Sequence, residues 1–501
     1  RKIPHKQRPV WRFMLRRSDL PGAGPHRVRA VAVNCDGGRS SLGTRELTFR
    51  TQDAPPPDDR KNMDRERIEA TEDLVERARR VLPYESLDWI VRRPLPGDDG
   101  FVFPLFAAEA KGCEIVDTTG RSFIDWANGW GCNLLGYRHP AVEAAICAQL
   151  AAGPLVSLTH PIEIEVAELI AELIPGAEMA AFCKTGTDAI AGAVRVARAA
   201  TGRPIVLQHG LMNFRAWQQT RAAADPRQAD AASIAEFPYG ELGILEELLE
   251  AHRGRVAAIL MEPVRNEIPH DGYLAGVRRL ADEHGAVWIL DEVVTNFRIA
   301  RGGAQECYGV TADLVCLGKA IANGMPLAAL AGKRALMRLV TAVSFDSTFR
   351  GETLSLAAAA ATLRVVRDEP VAEHLARAGS ELRECFDARC KELGLVAALN
   401  GPPARMSVHF EAVGSRTSRD LCELFLQECM KRGVLTTGHF LASYAHDERA
   451  LARTMDCVVG ALAVVAEALA SEREGRPGPR ACRSLGYLNV APEPDSDDLR
   501  I

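Results

Sequence analysis

Four short apolar runs, at residues 204–207, 256–261, 287–290 and 314–317, constrain the fold of this chain more than any other feature. They are apolar without alternation, as strands buried on both faces are. Helical stretches separate them between about residue 160 and residue 335. Strands that alternate with helices build a mostly parallel sheet covered on both faces, and ligands of such sheets sit beyond the carboxyl ends of the strands. With 501 residues, 47% of them hydrophobic, the chain can bury a large core and form more than one domain.

Charged residues stand where these runs end. Glu262 follows the second run, Asp291 the third, and Lys319 comes after Leu314-Val315-Cys316-Leu317-Gly318. An ammonium at the end of a buried strand is disfavoured, which lowers its pKa. A neutral amine is what a carbonyl-bearing cofactor requires for a Schiff base. A strand-end carboxylate upstream keeps a pyridine nitrogen protonated, so Asp291 with Lys319 is the pairing that pyridoxal 5′-phosphate (PLP) needs. Taken singly, Asp291 reads as a solvated strand end or a helix cap, and Lys319 as a lysine snorkelling out of the core. A third element, Cys183-Lys184-Thr185-Gly186-Thr187-Asp188, leads small and hydroxylated residues into a helix. The helix dipole and first-turn N–H groups there suit a phosphate, although Thr and Asp are also common caps. The order of the three elements, at one sheet edge, carries the reading.

The formal net charge of −5 offers no global basic field for nucleic acid or anionic lipid. No apolar run approaches the roughly 20 residues that span a bilayer. The 13 cysteines are scattered, without a Cys-x-x-Cys pair or a cluster of zinc ligands. They fit reduced thiols in a cytoplasmic protein better than a disulfide framework. The chain opens on Arg1-Lys2-Ile3-Pro4-His5-Lys6, without a signal-peptide core or an initiator Met, as a fragment or processed chain does.

Residues 1–52 read as a separate hairpin, with an alternating strand at 26–33, a turn at 34–38 and a second strand at 46–50. It resembles the last hairpin of a fibronectin type III or similar sandwich module. Residues 53–83 are a proline-rich, acidic linker and a charged helix. The body divides into 84–158, the N-terminal segment of a smaller domain, 159–370, a large cofactor-binding domain, and 371–470, the rest of a smaller α+β domain with a strand at 405–410. Residues 471–501, rich in Pro, Arg, Asp and Gly, are expected to form a disordered tail.

Longer motifs stand in order along this body. They are Phe123-Ile124-Asp125-Trp126, Asn128-Gly129-Trp130-Gly131, Leu135-Gly136-Tyr137-Arg138-His139-Pro140, the run from Gly302-Gly303-Ala304 through Lys319 to Gly324-Met325-Pro326-Leu327, then Gly438-His439-Phe440 and Ser443-Tyr444-Ala445-His446. From about residue 103 to about residue 469 the chain resembles a class III PLP-dependent aminotransferase of fold type I. Within that family it is most similar to the glutamate-1-semialdehyde 2,1-aminomutase branch. The resemblance implies an α/β large domain with a mostly parallel seven-stranded sheet sandwiched by helices, plus a smaller α+β domain. It implies that Lys319 forms an aldimine with the cofactor and moves the proton, that Asp291 pairs with the pyridine nitrogen, and that Thr185, Gly186 and Thr187 hold the phosphate. It implies a homodimer with shared sites, in which Thr353 of Gly351-Glu352-Thr353-Leu354-Ser355 reaches the phosphate of the neighbouring subunit. Glu262 matches a carboxylate near the active site, and Gln208 with His209 matches the segment over the cofactor ring.

The resemblance also marks departures. Gln208 replaces a ring-stacking tyrosine, so either the stacking is lost or another aromatic supplies it; Phe214 and Trp217 are candidates, and both also read as packing aromatics. Glu352 and Leu356 resemble an aminomutase-like subgroup of polysaccharide and secondary-metabolite pathways. Val294 stands where many ω-amino-acid aminotransferases carry glutamine. Lys184 is either a cation beside the phosphate segment or a solvated surface lysine, and Arg350 is a candidate for a substrate carboxylate. The leading expectation is amino transfer from a small-molecule donor to the carbonyl of a biosynthetic intermediate. The alternatives are a 2,1-aminomutase and a PLP-fold binding module without catalysis.

Overall fold

The structure, a computed structural model, describes residues 25–33, 39–48, 73–78, 80–82, 106–209, 234–476 and 478–479. Phe214, Trp217, the proline-rich linker and most of the expected tail lie outside the described residues. The chain forms two compact units, residues 1–70 and 71–501. In the first, β1 (Pro25–Val33) pairs antiparallel with β2 (Arg39–Thr48) around a register shift at Ala30/Val31. The second strand thus starts well before the expected residue 46. Its polar first half carries little strand signal, and the ladder to β1 makes it a strand.

Beyond a helical segment at 73–78, the second unit holds an antiparallel meander of β3 (Ala107–Lys111), β4 (Glu114–Asp117) and β5 (Ser122–Asp125). Its centre is a sheet of β6 (Met179–Cys183), β7 (Ile205–His209), β8 (Ile234–Phe237), β9 (Val256–Met261), β10 (Val287–Asp291), β11 (Leu314–Leu317) and β12 (Ala328–Gly332). These seven strands lie in the order β6-β12-β11-β10-β9-β7-β8. All run parallel except β12, which is antiparallel to both neighbours. Alternate residues of each apolar strand serve opposite faces. Ala258, Leu260, Ile289 and Cys316 pack on Ala189, Ala193 and Val194 of helix Gly186–Thr201. Ile259, Met261, Trp288 and Leu290 pack on Leu245 and Leu249 of helix Leu242–Ala251 and on Val277 and Leu280 of helix Tyr273–His284. This covering on both faces is why the strands read as uninterrupted apolar runs.

The C-terminal part contributes a three-stranded sheet of β13 (Ala397–Asn400), β14 (Arg405–Phe410) and β16 (His439–Leu441). The intervening β15 (Val434–Leu435) crosses to pair in parallel with β5, so it extends the N-terminal meander. Met406, Phe410 and Phe440 are buried in the core with helices Val371–Leu393, Ser418–Lys431 and Glu448–Arg473. The last of these helices corrects two expectations. By length and composition it could cross a membrane, yet Val458, Ala461, Leu462 and Val465 are fully buried in the core. It also continues past residue 471, where the tail was expected to begin.

Candidate active site

The carboxyl ends of the parallel strands gather the residues singled out by the sequence. Met261 lies opposite Leu290, and Asp291 opposite Cys316, so Glu262, Asp291 and Lys319 follow one another on three adjacent strands. Through β12, Ala328 lies opposite Cys183 and Ala329 opposite Leu317, which brings residues 184–187 to the same edge. One side chain joins these segments. A Cβ on Gly186 would meet Val293 at 2.7 Å, and one on Gly318 would meet it at 3.3 Å. Glycine at both positions therefore lets the helix start, the turn after Asp291 and the Lys319 turn close on Val293.

Helix Gly186–Thr201 begins with a capping box. Thr185 Oγ1 accepts the Asp188 N–H at 3.2 Å, and Asp188 Oδ2 accepts the Thr185 N–H at 2.9 Å. The cap is ordinary, and it fixes a helix N-terminus with its partial positive charge at the sheet edge.

Lys319 opens a short 3-10 turn, Lys319–Ala322, with φ +45°. That left-handed conformation is rare for a residue with a side chain and persists only where the surroundings enforce it. Here Ala320, Ile321 and Ala322 behind it are fully buried. Burial lowers the Lys319 pKa from the ordinary lysine range, while Cys132, Asp291 and Glu262 pull it back up. Asp291 is 8% exposed, and its Oδ1 accepts the Val293 N–H at 3.0 Å. Burial and then the Glu262 charge raise its pKa, against the Val293 amide and Lys319. A buried carboxylate held this way fits a cationic partner such as a protonated ring nitrogen. Glu292 serves the scaffold instead. It accepts from Thr295 Oγ1 at 2.9 Å and from the Ala304 and Gln305 amides at 2.5 and 3.1 Å. Burial pushes its carboxyl up to about 7.

The other expected residues fall as follows. Gln208 is buried, and its Nε2 donates to Glu236 Oε1 on β8 at 3.2 Å, while its Oε1 has no hydrogen-bond partner. The His209 ring lies 5.1 Å from that of Tyr239. Thr353 is buried, its hydroxyl donating to Gly153 O and its amide to Pro154 O, each at 2.8 Å. Lys184 is no solvated lysine: its Nζ lies 3.1 Å from Glu352 Oε2 and 3.3 Å from Ser355 Oγ. Arg350 is held on the surface by Glu163 at 2.9 Å and Asp346 at 2.8 Å.

A second wall of the site comes from β14 and β16 and was not read from the sequence. Ser407 lies opposite His439 and Arg405 opposite Leu441, so these side chains share the face turned away from Met406 and Phe440. Arg405 Nη1 donates to Arg265 O, and the Glu262 charge acts on Arg405. Arg265 Nε is 3.5 Å from Glu262 Oε1. Arg405, Arg265 and Lys319 all act on His439, whose ring is 6.1 Å from that of Trp130. Fully buried Arg298 ties this wall together. Its Nη1 donates to Ala442 O at 2.6 Å and Ala404 O at 3.3 Å, and its Nη2 to Gly131 O at 3.0 Å. Burial lowers its guanidinium to about 10. The signal that was available is the recurrence of polar residues at 405, 407 and 439 in otherwise apolar strands.

Known proteins place this geometry. The aminotransferase class-III family profile matches residues 97–441. Glutamate-1-semialdehyde 2,1-aminomutase of Roseiflexus castenholzii is 38% identical over 390 residues, 72% of this chain and 90% of that protein. 3-Aminobutyryl-CoA aminotransferase of Cloacimonas acidaminovorans is 30% identical over 410 residues, 79% of this chain and 97% of that protein. Among solved structures, the FumI protein of Sphingopyxis sp. MTA144, in its PLP internal aldimine form, superposes with a TM-score of 0.72 at 30% identity, covering 80% of this chain and 97% of that one. With its α/β sheet, its strand-end lysine and carboxylate, and this breadth of match, the chain belongs to the class III aminotransferase family.

Proposed function

We propose that this enzyme moves an amino group from a small-molecule donor bearing a carboxylate to the carbonyl of a biosynthetic intermediate. The observation that carries the reading is Lys319, an enclosed amine in a left-handed turn beside a buried carboxylate, Asp291. Pyridoxal 5′-phosphate is the cofactor. Thr185, Gly186 and Thr187 would hold its phosphate at the helix start, Asp291 its ring nitrogen and Lys319 its aldehyde carbon, with Gln208 and His209 beside the ring. When bound, it supplies an electrophilic carbon and a sink for electrons leaving the substrate carbon.

The chain's own residues do the rest. Burial favours the neutral Lys319 amine, which can take a proton from the substrate carbon and return it one step later. Arg405 and Arg265 supply cationic donors for the donor's carboxylate. Glu262, between them and Asp291, keeps the cluster from carrying uncompensated positive charge. Fully buried Arg298 fixes the strand ends of the second wall through Ala442 O and Ala404 O, and ties them to Gly131 O.

A homodimer with shared sites is part of this reading. Leu155, Val156, Leu158, Ile164 and Phe349 are exposed apolar side chains flanking the contact of Thr353 with residues 153–154. A cytoplasmic location fits the described cysteines, all of them thiols.

Purified protein incubated with PLP should absorb near about 420 nm, the band of a lysine-bound cofactor, and transfer the amino group of L-alanine or L-glutamate to an aldehyde. Lys319→Ala should lose the band and the transfer. A wild type without the band, indistinguishable from Lys319→Ala, would overturn the proposal. The 38% identity to an aminomutase favours one second reading. Movement of nitrogen between carbons of one substrate, without an external donor, would select it.

A further inference from the structure

The polar wall of β14 and β16 holds one histidine in a chain of hydrogen bonds. Ser407 Oγ donates to Asn266 Oδ1 at 2.9 Å and lies 2.7 Å from His439 Nδ1. A hydroxyl has one proton to give. Given to Asn266, it leaves Ser407 an acceptor for His439, which then carries its proton on Nδ1 and a bare lone pair on Nε2. Burial first, and then Arg405, Lys319 and Arg265, disfavour positive charge on this ring. The same field favours a lone pair over an N–H on the side away from Ser407. The ring is half-buried, with the Trp130 ring 6.1 Å from it. Nothing in the transfer of nitrogen itself uses this nitrogen.

A neutral acceptor set among guanidinium donors selects its ligand by elimination. An ammonium would meet Arg405, Arg265 and Lys319, and like charges repel. At Nε2 itself, as distinct from the guanidiniums that take the donor's carboxylate, a carboxylate or a carbonyl has no proton to give. A hydroxyl answers both needs, since it donates to Nε2 and accepts from a guanidinium. We infer that the amino acceptor of this enzyme is a hydroxylated carbonyl compound, and that His439 reads its hydroxyl through Nε2. The inference rests on the aminotransferase reading above and names the substrate class for the same site.

The test uses the PLP-loaded enzyme in two steps. L-Alanine or L-glutamate first discharges the band near about 420 nm, and excess donor is removed. Butanal or its 2-, 3- or 4-hydroxy derivative then restores the band, and the rate of recovery is read against concentration. Wild type should favour one hydroxy isomer over butanal by about tenfold or more, the worth of one buried hydrogen bond. In His439→Leu that ratio should fall to about one. In His439→Gln, which keeps an acceptor oxygen, part of it should return. Nitrogen NMR of histidine-labelled enzyme, with His439 assigned by its loss in His439→Gln, should show Nδ1 protonated and Nε2 bare. No preference among the aldehydes in wild type, the same preference in His439→Leu, or the reverse tautomer would overturn the inference and leave amino transfer standing. Absence of the band in wild type would overturn amino transfer, and this inference with it.

Discussion

At the scale of single residues, burial sets the charge states that the structure depends on, and pH can expose them. His446 is 1% exposed, its Nδ1 accepts the Ser443 N–H at 3.0 Å, and its ring stacks 4.3 Å from Trp126. Burial first, and then neighbouring His374 and Arg298, press its pKa to about 3 from 6.5. Below pH 6.5 the unfolded chain takes up a proton that the folded chain refuses, so this residue costs stability progressively down to about pH 3. Glu292 has the opposite sign. Its folded pKa of about 7 lies above its ordinary 4.5, so the stability it gives is full below 4.5 and is lost as pH rises through 7. The two offset each other between pH 4.5 and 6.5, and the histidine acts alone below that. We expect His446→Asn, whose side-chain oxygen can still accept the Ser443 amide, to be less stable than wild type at pH 7. Its deficit should shrink toward acid pH by up to about 1.4 kcal/mol per pH unit. Urea midpoints at pH 7, 5.5 and 4 measure this. Parallel curves for the two proteins would show that the ring carries no such linkage.

At the scale of elements, what was legible in the sequence is what each element states within its own residues. The strands at 256–261, 314–317 and 405–410 keep the bounds their apolar character implies. β7 runs on through Gln208 and His209 because its neighbours β8 and β9 supply the ladder, which apolarity alone does not report. Lys319, Asp291 and Glu262 were legible as strand-end charges because each closes an apolar run, Lys319 after a single glycine. Arg405, Ser407 and His439 were not, because their common face is decided by the register of two strands separated by a long helix. The link between Lys184 and Glu352 was hidden for the same reason. It joins the starts of helices Gly186–Thr201 and Thr353–Asp368, where Glu352 Oε1 and Oε2 accept the Leu354 and Ser355 amides at 2.6 and 3.2 Å. With 20% and 16% of the two side chains exposed, the pair is worth more than a surface bridge, at ~1 kcal/mol. Glu352→Ala should cost ~1–2 kcal/mol, since the cap is lost with the pair. Glu352→Gln, which keeps an acceptor for the amides, should cost less. A urea cycle of Lys184→Met, Glu352→Gln and the double variant should show coupling of ~1 kcal/mol. Additive effects would reduce the bridge to a coincidence of two caps.

At the scale of the whole molecule, the question is what covers the apolar surface near Thr353. Leu158 is 83% exposed, Ile164 58%, Phe349 55%, and Leu155 and Val156 each 44%. Scattered apolar side chains on a surface need no explanation, but these flank one contact. Thr353 bonds Gly153 and Pro154, so the strip at 155–158 and the turn holding Phe349 are neighbours. A second copy of the chain would bury them on both sides by twofold symmetry. It would also bring the Thr353 turn of one subunit close to the cofactor of the other, as the family resemblance implies. Stability, cofactor binding and assembly would then be one property, because the helix start that carries Glu352 is tied to Lys184, next to residues 185–187 proposed to hold the phosphate. Leu158→Asp separates this from an inert patch, since the side chain is exposed in the single chain and the change should spare its fold. Sedimentation at micromolar concentration should show a dimer in wild type and a monomer in the variant. The variant should retain its helix content, and its affinity for PLP should drop about tenfold or more if the partner supplies a phosphate contact, as one lost charge-assisted hydrogen bond predicts. A Leu158→Asp protein that remains dimeric would place the interface elsewhere. A monomer that binds PLP as wild type does would show that each subunit holds the cofactor alone.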